Sequence, residues 1–82
     1  MENVKDRFTS KDFYLVAVCL AAGCTLNSLD RTSGAFVNFV LDDSASKCEE
    51  IISRHWSGEL KISSRRIIEA INELKTRLHS GV

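Results

Sequence analysis

The sequence predicts an α+β fold: helix, strand, strand, helix, helix, with an antiparallel β-hairpin packed against three helices. Three observations carry the prediction. Residues 13–22 (FYLVAVCLAA) form a run of ten without a charged side chain, as in a helix buried on all sides. Residues 35–41 alternate, with Ala35, Val37, Phe39 and Leu41 on one parity, as in a strand covered on one face. Further on, Ala45, Cys48 and Ile52, and then Ile67, Ala70, Ile71, Leu74 and Leu78, fall at helical spacing.

The first helix is expected over residues 10–22. Thr9 with Asp12 reads as a capping box, and Phe8 with Phe13 as a hydrophobic staple. Gly23 suits the left-handed position that closes a helix. Residues 24–31 read as a strand. Its alternation is poor, since Leu26 and Leu29 have opposite parity, and a bulge is allowed. Thr32, Ser33 and Gly34 form the turn to the second strand, whose other face carries Phe36, Asn38 and Val40. Asp42, Asp43 and Ser44 end that strand and open the second helix, with Ser46 and Glu49 as a second capping box. Ser57 and Gly58 stop this helix. Ser63 caps the third, with Ile62 and Ile67 as its staple. Glu73 and Arg77 stand four apart in the favourable order, and residues 79–82 are expected to fray.

Eighty-two residues allow one small domain, with an ordered core expected at about residues 9–78. With 44% hydrophobic and 27% charged residues, the composition is that of a globular chain rather than a disordered one. Net charge is zero but unevenly spread. Residues 1–50 hold five basic and eight acidic side chains, and residues 51–82 hold six and three. The zero total gives no general attraction to nucleic acid or anionic membrane, but a basic face in the C-terminal part is allowed.

Lys5, Arg7 and Lys11 before the apolar run, and Ala21-Ala22-Gly23-Cys24 after it, also fit a bacterial lipoprotein signal. Glu2, Asp6 and Asp12 cancel the leading charge, and Ala21 stands where that pattern favours a larger aliphatic residue. The run is expected to be a core helix. A membrane span, which takes about twenty apolar residues, is not expected. Three cysteines cannot all pair within one chain, which suits a reducing, cytoplasmic setting with buried thiols. Zinc held by Cys19, Cys24, Cys48 and His55 is not expected, because there is no C-x-x-C pair and Cys19 lies inside the apolar run. No cofactor is implied.

Several stretches together resemble a known family: Thr9-Ser10-Lys11-Asp12-Phe13-Tyr14-Leu15, Gly23, Phe39-Val40-Leu41-Asp42-Asp43, Trp56-Ser57-Gly58-Glu59 and Ala70-Ile71-Asn72-Glu73-Leu74-Lys75. The family is one of short uncharacterised prokaryotic and viral proteins, classed only as a domain of unknown function. The resemblance spans Thr9 to Leu78 and rests on core and cap positions. Ser33 departs from it where such proteins tend to have glycine or another turn former, and Cys24 where an apolar residue is usual. It implies a cytoplasmic protein carried on a mobile element and supplies no activity.

Two surfaces are candidates for function. Arg54, Trp56, Lys61, Arg65 and Arg66, with His55, cluster at the junction of the second and third helices. Basic side chains beside an aromatic suit a nucleic-acid backbone with a stacked base, and Arg65 and Arg66 stand near a helix N-terminus. The plainer expectation is a solvated basic surface with Trp56 packed at the core edge. The junction is longer than a helix-turn-helix turn. The second surface is the strand face Phe36, Asn38 and Val40, suited to a protein partner or a second copy of the chain, which an open strand edge also invites.

No phosphate-cradling glycine loop, H-E-x-x-H or G-x-S-x-G occurs. Asp42 and Asp43 read as caps rather than a catalytic pair. The expected function is a non-enzymatic binding module acting through protein–protein contact or self-association. The alternatives are a nucleic-acid-binding accessory protein of a mobile element, or a viral inhibitor of a host defence complex.

Overall fold

The structure, a computed structural model, describes residues 7–31, 36–42 and 47–80. The elements are β1 (Arg7–Ser10), α1 (Phe13–Ala21), β2 (Thr25–Asp30), β3 (Asn38–Asp42), α2 (Lys47–Ser57) and α3 (Ser64–Ser80). This is the expected α+β class, with the β2–β3 hairpin and three helices in the expected order. One strand was not foreseen. Residues 7–10 form β1, and the sheet has three antiparallel strands in the order β1-β3-β2. β1 thus starts two residues before Thr9, and α3 runs to Ser80. Thr32, Ser33, Gly34, Ala35, Asp43, Ser44, Ala45 and Ser46, with the turn and the second capping box, lie outside the described residues.

The strand β1 changes how α1 starts. Asp12 is the N-cap: its Oδ1 accepts from the Leu15 N–H at 3.1 Å, and Ser10 Oγ accepts from the Asp12 N–H at 3.0 Å. Thr9 is paired with Val40 in the sheet, so it does not cap, and Phe8 is a strand residue facing the core rather than a staple. At the other end, Gly23 has φ +113°. The Cys24 N–H donates to Cys19 O and the Gly23 N–H to Leu20 O, both at 3.0 Å, which is a Schellman closure. Gly58, at φ +80°, closes α2 in the same way, with the Glu59 N–H on Arg54 O and the Gly58 N–H on His55 O. Ser63 caps α3 as expected, its Oγ accepting from the Arg66 N–H at 3.3 Å.

A bulge forms in this strand, which the parity clash allowed. Leu26 pairs with Leu41 and Ser28 with Val40, so Asn27 is the extra residue. The extra residue puts Leu26 and Leu29 on the same face as Phe39 and Leu41. Phe8, opposite Leu41, extends that face across β1. The outer face carries Arg7, Thr9, Thr25, Ser28, Asp30, Asn38 and Asp42 around Val40. Asn27 uses its bulged position to clasp all three strands: its Nδ2 donates to Asp42 Oδ1 at 3.1 Å, and its Oδ1 accepts from Arg7 Nη1 at 3.4 Å.

Helix α1 is the central element. It contacts β1, α2 and α3, and Val16, Ala17, Cys19 and Ala21 are buried in it. Phe13 packs edge-on against Phe39 of the sheet, with ring centroids 6.2 Å apart. Leu41, Leu74 and Val16 are among the largest side chains wholly removed from solvent, each contributing about 1.5–3 kcal/mol. The run is not apolar-buried all round, because Tyr14 faces solvent. Arg31, just past β2, donates from Nη2 to Leu78 O at 2.9 Å, tying the sheet to the last turn of α3.

Candidate functional site

Where α1 ends, α2 runs past it and the α2–α3 connector crosses, the chain leaves a cleft of about 460 Å³. Lys47 and Arg54 reach it from α2, Lys61 from the connector and Arg66 from the first turn of α3. Lys47 and Arg54 are seven residues apart and so share one flank of α2. Glu50 lies between them and is the one acidic residue in the lining. The floor is Ala21, Ala22, Ile51, Leu60 and Ile62, with Ser63, the α3 cap, at the rim. The Lys47 ammonium sits beside Gly23, against the carbonyl end of α1.

The ion pairs among the described residues are Arg7–Asp42, Arg65–Glu69 and Arg77–Glu73, and none involves a cation of the cleft. Four positive charges against one negative, near the N-terminus of α3, make a concavity that favours an anion.

The structure divides the basic cluster read from the sequence. Arg54, Lys61 and Arg66 come together, joined by Lys47, which the sequence reading left out. Arg65 points elsewhere and pairs with Glu69 at 3.2 Å. Trp56 is also outside the cleft, two residues from Arg54 and so on another side of α2. It is not packed at the core edge as expected but is 71% exposed. Its ring lies 4.8 Å from that of His55.

His55 lines a second, apolar groove of about 220 Å³ with Val18, Leu60, Ile62 and Ile67. Tyr14, one turn before Val18 on α1, is 67% exposed.

The other predicted surface changes character. Phe36 precedes β3 rather than lying in it, is 57% exposed, and has the Lys11 ammonium 4.7 Å above its ring. Asn38 and Val40 are half-buried, and the Val40 neighbours across the sheet are Thr9 and Ser28. Around Val40 the outer face is thus mainly polar. Asp42 ends β3, as expected, and is held by Asn27 and by Arg7, whose Nε is 3.7 Å away.

The cysteines are also regrouped. Cys24 Sγ and Cys48 Sγ lie 3.4 Å apart, joining the end of α1 to the first turn of α2. Among the described residues no group of three or more His, Cys, Asp or Glu side chains could hold a metal ion. No described helix is long and apolar enough to cross a membrane. No family model, curated protein or solved structure matches this chain.

Proposed function

We propose that this chain is a small, non-catalytic binding domain that takes the phosphate backbone of nucleic acid in its basic cleft. The observation that supports the reading is the convergence of Lys47, Arg54, Lys61 and Arg66 from three segments on one concavity, with Glu50 alone opposing them. Lysine and arginine at a helix N-terminus bind phosphate by charge and by hydrogen bonding together. Trp56 stands apart from the cleft, so the reading is of backbone contact without base stacking.

Fluorescence anisotropy with labelled oligonucleotides tests it. Binding is expected to weaken with salt, log K falling with a slope of about −3 for four phosphate contacts on a single strand. No binding at low salt, or binding indifferent to salt, overturns the reading.

A second reading is supported by the apolar groove of Val18, Leu60, Ile62 and Ile67, bordered by His55 with the exposed Trp56 beside it. Exposed aromatics beside an apolar groove are features of protein interfaces. In this reading the partner is a protein or a second copy of the chain.

A further inference from the structure

We propose that Cys24 and Cys48 are a dithiol–disulfide couple, oxidised by a peroxide that enters beside Cys24. Three observations carry it.

The first is distance. The sulfurs are 3.4 Å apart, so a disulfide requires them to close by about 1.4 Å. Cys24 lies between α1 and β2, in neither element, directly after the positive-φ Gly23. A rotation about its Cα–Cβ bond moves its sulfur while the Cys24 N–H stays on Cys19 O at the end of α1.

The second is access, which differs between the two thiols. Cys24 is half-buried and lines an opening of about 170 Å³ with Gly23, Thr25, Asp42 and Lys47. Cys48 is wholly buried behind it. Peroxide therefore meets Cys24 first, and Cys48 is placed to resolve the product.

The third is the remaining thiol. Cys19 is wholly buried in α1 and does not line the opening. The reaction is thereby confined to one pair.

In the first step the Cys24 sulfur attacks one oxygen of hydrogen peroxide. The O–O bond breaks, Cys24 becomes a sulfenic acid, and the other oxygen leaves as water with the thiol proton. In the second step the Cys48 sulfur attacks the Cys24 sulfur. The S–S bond forms, the S–O bond breaks, and the hydroxyl leaves as water with the Cys48 proton. The two thiols together lose two electrons and two protons, and one peroxide is reduced to two waters. Exchange with dithiothreitol restores both thiols.

The experiment treats the reduced full chain with hydrogen peroxide, counts free thiols and maps cross-linked peptides without reduction. The expected result is a fall from three thiols to one, a Cys24–Cys48 peptide pair in a monomeric chain, and recovery with dithiothreitol. In Cys48→Ser, a sulfenic acid that dimedone traps is expected at Cys24. Retention of all three thiols overturns the proposal. So does cross-linking of two chains through Cys24, or over-oxidation of Cys24 with the Cys48 thiol intact. The decisive readings are made on the unaltered protein, so a variant that fails to fold leaves them standing.

Discussion

At the residue scale, Arg65 and Arg66 are adjacent and chemically identical, yet the fold gives them different work. Arg66 lines the basic cleft, while Arg65 pairs with Glu69 on the exposed side of α3. Arg66→Glu is expected to weaken oligonucleotide binding at least tenfold, because it removes one cation and adds an anion among the three that remain. Arg65→Glu is expected to change binding by less than threefold and stability by less than about 0.5 kcal/mol, since an exposed ion pair contributes little. Anisotropy titrations of the two variants side by side check this, and equal losses would place the contact elsewhere. Gly58 offers a stability test of the same kind. A Cβ there meets nothing within 4 Å, so the penalty is conformational, from φ +80° alone. Gly58→Ala is expected to cost about 1 kcal/mol in urea unfolding, and Gly58→Asn less.

At the element scale, β1 is the instructive case. Arg7–Ser10 is four residues long, and its Thr9 and Ser10 followed by Asp12 imitate a helix start. What makes it a strand is its pairing with β3, 29 to 35 residues away, and no local signal reports that pairing. The bulge at Asn27 was legible for the opposite reason. Two leucines of opposite parity in one half-buried strand leave the chain little choice. The helix closures at Gly23 and Gly58 and the cap at Ser63 were legible because capping is local. The cleft was legible in part. Arg54, Lys61 and Arg66 cluster in sequence, whereas Lys47 belongs with them only through the seven-residue repeat of α2. The Cys24–Cys48 contact, across two segment boundaries, left no trace in the spacing. The strand β1 also has a testable weight. Removing residues 1–10 leaves β3 as an edge strand, uncovers Leu41 and Phe39 beside it, and deletes the Phe8 contribution to the core. The truncated chain is expected to lose cooperative thermal unfolding by circular dichroism and to scatter light as it associates. A monomeric chain with an unchanged melting temperature would make β1 dispensable.

At the scale of the whole molecule, the two functional readings use neighbouring hollows that share Leu60 and Ile62, and the chain carries its own reporter beside one of them. Its single tryptophan, Trp56, is largely exposed and lies against His55, which lines the apolar groove, while the basic cleft lies elsewhere around α2. In the free protein its emission is expected near that of indole in water, with ready quenching by acrylamide. A nucleic acid held by Lys47, Arg54, Lys61 and Arg66 leaves that indole in solvent, so emission and quenching should hold through a titration in which anisotropy rises. A protein partner or second copy seated on Val18, Leu60, Ile62 and Ile67 covers the indole, shifts its emission to shorter wavelength and slows its quenching. Salt separates the two again: it weakens the first mode through counterion release and leaves apolar burial in the second intact or strengthened. One titration followed by both signals therefore assigns the binding face directly. A blue shift that accompanies oligonucleotide binding would move the nucleic-acid contact out of the cleft and onto Trp56.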